Sequence, residues 1–299
     1  MISQKIIEKC LVKPGKKFDL KDHDHAWVPV KEFEDLDSSE AKAKAKSVMA
    51  GNLKELTAAQ ELLYADNRYA ILMIVQAMDA AGKDGTIKHV MAGVNPQGCQ
   101  VFSFKRPSAE EIDHNFLWRC MLRLPERGRI GIFNRSYYED VLVVKVHPEI
   151  LVAQPLPTDR IDKSFWKDRY EDINAFERHL VRNGTIILKF FLNVSKTEQK
   201  RRFLERLEDP EKHWKFSVED LAEREFWDDY QNAYEEALFA TSTAWAPWHV
   251  IPADHKWLMR LLVAEILTNT IQSLDLAYPE PTPEERDALA SAREKLLGE

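Results

Sequence analysis

The chain is poor in cysteine and has no excess of basic charge. Its three cysteines, Cys10, Cys99 and Cys120, form no CxxC pair. An odd, scattered count excludes a disulfide framework, so the thiols read as buried or incidental. No apolar run approaches the ~20 residues that a membrane helix needs, so no membrane partner is expected. No apolar h-region follows a basic start, so no signal peptide is expected and the chain reads as cytoplasmic. Lys and Arg number 42 against 49 Asp and Glu, a net charge of −7. A general nucleic-acid coat usually needs a basic domain, so nucleic acid is not an expected partner. Any polyanion must instead be met by a local basic patch on an acidic body. Internal repeats are absent as well.

The 299 residues are 44% hydrophobic and 30% charged, which suits a soluble globular protein with ample material for a core. Residues 1–35 read as irregular. Within them KDHDHAW alternates Asp22 and Asp24 with His23 and His25, a pattern open to a metal tract or a solvated loop. Residues 37–66 read as helical, with a break expected at Gly51-Asn52. Strand and helix signals then alternate. Strands are expected at 69–77, 100–104, 129–133, 185–195 and 248–254, and helices at 83–94, 109–124, 162–183, 196–208, 218–238 and 256–275. That alternation implies a parallel sheet with helices on both faces. The proline-rich tail from Ala277 reads as weakly packed up to a last short helix near 283–297. Three segments are expected: an N-terminal extension with helices at 1–66, a core at 67–276, and the tail at 277–299.

The most informative segment is ILMIVQAMDAAGKDG, residues 71–85. A buried strand runs into a loop of small residues that ends in Gly82-Lys83, the layout of a phosphate-binding loop whose amides and helix N-terminus face an anion. Two positions depart from the usual pattern. Ala77 stands at the first glycine position, and Asp84 stands where Ser or Thr is usual after the lysine. Lys83, at a helix start that the helix dipole makes unfavourable for a cation, needs an anion beside it. The amides of Ala80, Ala81, Gly82, Asp84 and Gly85 complete the cradle. Asp79, inside the loop, would repel phosphates unless a cation lies between, so the loop reads as binding phosphate together with Mg2+. Three roles stay open for Asp79: metal ligand, base that orients an attacking phosphate, or structural cap.

A second segment, RIGIFNRSYYED (129–140), runs from an apolar strand into a polar cluster. In phosphate-loop proteins an adjacent strand ends in an acidic or amide group near the metal, the Walker B edge. Asn134, Arg135, Glu139 and Asp140 are candidates for that edge, and Asp79 with Asn134 is a candidate magnesium set, partly through water. One of Tyr137 and Tyr138 is expected to touch substrate and the other to lie in the core. Trp166, Trp214, Trp227, Trp245 and Trp248 either stack on a base or, as large apolar rings usually do, pack in the core.

QAMDAAGKDG and FNRSYYED resemble the second family of polyphosphate kinases. The likeness continues through NPQG (95–98), FLWR (116–119), LKFFLNVSKTEQKRRFLER (188–206), HWKFSVEDL (213–221) and TSTAWAPWHVIPAD (241–254), and so covers about residues 10–280. The resemblance implies a three-layer α/β/α P-loop kinase fold with a helical lid at about 196–226. It implies a reversible, magnesium-dependent transfer from inorganic polyphosphate to nucleoside mono- and diphosphates, in a homo-oligomer that is a dimer or tetramer. It places Arg135 in the active site, where its planar fork suits phosphoryl oxygens. It also reads Lys196, Lys200, Arg201, Arg202 and Arg206 as lid cations that reach the phosphates on closure, where the charge pattern alone reads as a solvated face. Lys105, Arg106, Arg119 and Arg123 would extend a positive track for the polyanion. Asn134 stands where many members carry Asp, and its companions QAMDAAGKDG and TSTAWAPWHVIPAD most resemble the class, often called class III, that accepts both AMP and ADP. Two other functions fit a phosphate loop: an ATP-dependent nucleotide or small-molecule kinase, and a non-catalytic nucleotide-binding module.

Overall fold

A computed structural model describes residues 4–28, 38–154, 156–157 and 161–299. Part of the irregular N-terminal reading, residues 29–35, and the expected helix start at 37 lie outside the described residues. The elements in chain order are α1 (Gln4–Cys10), α2 (Ser38–Asp66), β1 (Ala70–Gln76), α3 (Lys83–Val90), β2 (Cys99–Ser103), α4 (Ala109–Ile112), α5 (Trp118–Met121) and β3 (Ile130–Asn134). Then come α6 (Val143–Val146), α7 (Lys163–Arg182), β4 (Thr185–Asn193), α8 (Lys196–Glu208), α9 (Val218–Ala222), α10 (Trp227–Thr241), β5 (Trp248–Pro252), α11 (Lys256–Gln272) and α12 (Pro283–Leu297).

The five strands form one parallel sheet in the order β2-β3-β1-β4-β5. β1 is central, and its apolar run AILMIVQ is buried throughout because helices cover both faces of a parallel sheet. From β1 the chain passes to the edge strand β2, returns to β3 beside β1, then crosses to β4 on the other side. The end of β1 therefore opens into the crevice where such sheets bind ligands. Val75 pairs with Asn134 of β3 and with Phe190 of β4, so β3 ends level with β1 while β4 runs on to Asn193 beside the loop after β1. The far edge strand β5 is not left bare: Val12 N–H donates to the Trp248 carbonyl at 2.9 Å, and Leu11 bridges to His249.

Four expectations change. Gln4–Cys10, read as part of an irregular stretch, form α1, because Ile7 and Cys10, three apart, bury one helix face in the core. α2 runs unbroken through Gly51 and Asn52, because buried Asn52 donates its side-chain amide to Glu265 of α11 at 2.7 Å. That tertiary bond overrides the weak helix propensity of the pair. Residues 109–124 form two short turns instead of one helix, since Asn115 Oδ1 accepts from Leu117 N–H at 3.1 Å and a local turn competes with the helix. Residues 218–238 are interrupted by a tight turn at Glu223–Phe226. In the KDHDHAW loop the carbonyls of His23 and His25 anchor the chain to Asn193 and Asp254. Among the described residues no group of three or more His, Cys, Asp or Glu side chains is placed to hold a metal. α2 contributes Ala41, Ala45, Leu56 and Leu63 to the same core as β1, whereas α12 has no buried residue. Among the described residues no helix is long and apolar enough to cross a membrane.

His249 lies in β5 against the Phe190 ring, and its Nδ1 is buried without a partner. Burial pushes its imidazole down to about 4. The unfolded chain binds this proton near the ordinary pKa of about 6.5, so stability falls as pH drops from there towards 4. Between pH 7 and pH 5 the wild type should lose about 2 kcal/mol more than His249→Gln, measured by urea unfolding. Parallel losses in the two proteins would contradict it.

Candidate active site

The loop after β1 turns on two left-handed residues, Ala80 (φ 57°) and Gly82 (φ 110°). A side chain at Gly82 would be strained, and its Cβ would come within 3.1 Å of Met259 Cε. Every carbonyl from Ala77 to Gly82 is engaged by a donor. Lys83 Nζ reaches back to Ala77 O at 2.7 Å and Met78 O at 3.3 Å. Gln199 Nε2 donates to Asp79 O at 2.9 Å, and Arg202 Nη1 donates to Ala80 O at 3.1 Å and Ala81 O at 2.5 Å. Gly82 O takes Thr86 N–H at 2.9 Å and its hydroxyl at 3.0 Å. No side chain caps α3, so the amides of its first turn, Lys83 to Gly85, have no partner within the helix. Carbonyls tied back and amides left open make an anion cradle. The Ala81 amide, expected to be part of it, donates instead to Met78 O at 3.3 Å and closes the loop's own turn.

Charges converge beside it. Arg135, itself left-handed at φ 64°, donates to Asp79 Oδ1 at 3.0 Å, and Lys83 Nζ lies 4.0 Å from the same oxygen. Burial lowers the Lys83 pKa, with Asp79 opposing it. Glu139 accepts from Gln76 Nε2 at 2.9 Å. Asp79, Arg135 and Glu139 share a tight cleft of about 50 Å³ with Gln199, Asp220, Glu223, Arg224, Tyr230 and Tyr234. The last six were not singled out from sequence: an acidic run such as VEDLAEREFWDD looks like any solvated helix face. Burial, and next the Asp79 charge, raise the Asp220 pKa. A larger cavity of about 270 Å³, between Lys9, His23, Trp27 and Val250, shares no residue with the loop. The smaller cleft is the candidate site because the cradle and the charges converge there. Its four carboxylates, Asp79, Glu139, Asp220 and Glu223, are oxygen donors of the kind magnesium takes, one or two at a time, alongside phosphate oxygens.

The structure redistributes several expected site residues. Asn134 sits at the end of β3 and donates to Asp84 Oδ1 at 2.7 Å and Ser103 Oγ at 3.3 Å, so it is coupled to Asp84 instead of Asp79. Tyr138 is fully buried, its hydroxyl on Glu177 and Lys189, and Tyr137 is buried beside it; neither faces the cleft. Arg202 is buried at 3% exposure, and its Nη2 also donates to Ala253 O and Asp254 O, so it braces the loop and offers no free fork to an incoming phosphate. Arg201 is exposed and paired with Glu198 and Glu205. Arg206 donates to Lys215 O at 3.0 Å and lies 3.6 Å from Asp220. Lys196 lies over the Trp227 ring, and Lys200 is exposed. Arg119 is buried, holding Lys105 O at 2.7 Å, while Lys105, Arg106 and Arg123 are exposed around the end of β2. Trp227 and Trp248 are core residues, and Trp214 is 79% exposed.

This is a phosphate-loop α/β fold with a helical segment over the cleft. The sequence profile of the family described as polyphosphate kinase 2 (PPK2) matches residues 37–278. The chain is 54% identical over 259 residues to an "ADP-polyphosphate phosphotransferase" of Rhodopseudomonas palustris, covering 86% of this chain and 90% of the relative. It is 46% identical over 275 residues to an "AMP/ADP-polyphosphate phosphotransferase" of Meiothermus ruber, covering 92% and 96%. The crystal structure of polyphosphate kinase 2 from Arthrobacter aurescens TC1 superposes with a TM-score of 0.83 at 40% identity, covering 95% of this chain and 96% of that one. The chain belongs to the polyphosphate kinase 2 family.

If Arg202 braces the loop, Arg202→Met strands four carbonyls and half-frees Glu198. It should cost on the order of 3 kcal/mol in urea unfolding, as loss of one partner of a buried charge does. Arg206→Ala, at a half-buried site that loses one carbonyl contact and a 3.6 Å ion pair, should cost clearly less than that. Equal stability of the two variants would show that Arg202 is not a brace.

Proposed function

We propose that this chain transfers the terminal phosphoryl group of inorganic polyphosphate to AMP and ADP, reversibly and with magnesium. Support for phosphate binding comes from the uncapped start of α3, with every carbonyl from Ala77 to Gly82 turned to another donor. Support for group transfer comes from Arg135, held by Asp79 within reach of the same cradle.

The amides of Lys83 to Gly85 bind phosphate oxygens. Lys83 exchanges the carbonyls of Ala77 and Met78 for phosphate and neutralises charge on the transferring group. Arg135 spreads its fork over the equatorial oxygens as charge redistributes. Asp79 orients Arg135 and offers an oxygen to the metal. Asp79, Glu139 or Asp220 would hold magnesium, which would supply positive charge to offset that of the phosphates. The terminal phosphate of the nucleotide attacks in line and is already ionised, so no side chain need remove a proton. The segment carrying Asp220, Glu223 and Arg224 excludes water from the cleft.

The names of the two relatives differ on the acceptor, one giving ADP alone and the other AMP and ADP. Asn134 favours the wider range. It carries one charge less than an aspartate there would, and so repels acceptor phosphates less.

With long-chain polyphosphate and magnesium as the only donor system, AMP should pass through ADP to ATP in a single time course. Accumulation of ADP without ATP, or no consumption of AMP, would contradict the dual acceptor range. Lys83→Ala should reduce turnover at least about 100-fold, the loss of about 3 kcal/mol of charge stabilisation in the transition state. Near-wild-type turnover of that folded variant would remove the loop from the mechanism.

A further inference from the structure

Beneath the cleft lies an ion pair that the transfer does not use. Lys189 of β4 and Glu177 of α7 are both completely buried, their charged atoms 2.6 Å apart. Lys189 Nζ also donates to the Thr241 carbonyl at 2.7 Å and meets the Tyr138 hydroxyl at 3.0 Å. Glu177 Oε1 accepts from the Tyr137 hydroxyl at 2.9 Å and the Tyr138 hydroxyl at 2.8 Å. The three ammonium hydrogens thus have three acceptors, and both carboxylate oxygens are engaged. Replacing an isolated buried pair with apolar residues of like volume is often neutral or stabilising, so the attraction between the charges adds little by itself; what they do here is hold two tyrosine hydroxyls and the Thr241 carbonyl in place.

The network fixes one turn. Tyr137–Val141 is a single short helical turn that begins two residues after Arg135. Its two rings point down into Glu177 and Lys189, while Glu139 lines the cleft above with Arg135. Arg135 holds a left-handed backbone at φ 64°, which a residue with a side chain keeps only where its surroundings over-determine it. Ser136 continues the restraint, its Oγ accepting from Tyr138 N–H at 3.2 Å.

We propose that the Lys189–Glu177–Tyr137–Tyr138 network is a positioning device that holds Arg135 and Glu139 at the transferring phosphoryl group. This rests on the role given to Arg135 above. Its residues touch no substrate. They act through the turn.

The test measures kcat, the KM for ADP and for polyphosphate, and the urea midpoint of three variants: Tyr138→Phe, the double variant Glu177→Leu/Lys189→Met, and Arg135→Ala. The double variant strands the Tyr137 hydroxyl and the Thr241 carbonyl, so its urea midpoint should fall, while both KM values stay within about twofold. Its kcat should fall about 100-fold, since small displacements of a catalytic group carry penalties of that size. Tyr138→Phe, which deletes one hydroxyl, should lower kcat about tenfold. A folded double variant with wild-type kcat overturns the proposal. If the double variant does not fold, wild-type kcat in Tyr138→Phe overturns it instead. Inactive Arg135→Ala beside fully active network variants removes the positioning role alone. Active Arg135→Ala removes the role of Arg135, and the positioning proposal falls with it.

Discussion

The site depends on one constraint: the loop carbonyls from Ala77 to Gly82 must face away from the anion. A short loop of small residues cannot impose this by itself, because each peptide presents a carbonyl as readily as an amide. Here the constraint comes from outside the loop. Lys83 folds back onto the first two carbonyls, and Gln199 and Arg202 of α8 hold the next three. Ala80 is left-handed although it is not glycine, which fits a loop held by its neighbours. The first turn of α3 is then free to meet phosphate.

The same contacts change the meaning of the segment over the cleft. α8 cannot leave the loop without stripping Arg202 of its acceptors, so its first half belongs to the cradle. The residues that face the cleft come later: Asp220, Glu223 and Arg224. Gln199 joins the two parts, since its amide nitrogen holds Asp79 O and its oxygen takes Arg224 Nη1 at 2.5 Å. Glu223 is in turn held by the Tyr230 hydroxyl at 2.6 Å and His147 at 2.9 Å. A charge arriving at Arg224 is therefore one side chain away from the loop backbone.

Much of the fold was legible because periodicity is local. The apolar run of β1, the Gly82-Lys83 ending and the strand–helix alternation lie in consecutive residues, and they fixed the parallel sheet and the place of the cradle. Contacts between distant segments were not legible. Asn52 stays helical because of Glu265, and Arg202 is buried because carbonyls from Ala80 to Asp254 converge on it. In sequence, Arg202 looks the same as exposed Arg201 beside it. Likewise the paired tyrosines of FNRSYYED sit next to Arg135 in the chain, yet they point to the opposite side of the sheet end. The Asp220, Glu223 and Arg224 group carries no spacing that separates it from an ordinary charged helix.

The account is tested most directly by amide hydrogen exchange across residues 70–90 with and without tripolyphosphate and magnesium. If the carbonyls are tied back so that the amides receive phosphate, protection should rise at Lys83 to Gly85. Amides deeper in α3 and in β1 should be unchanged, because they are already bonded. Unchanged exchange at Lys83 to Gly85 under saturating tripolyphosphate, with protection appearing elsewhere, would contradict the account.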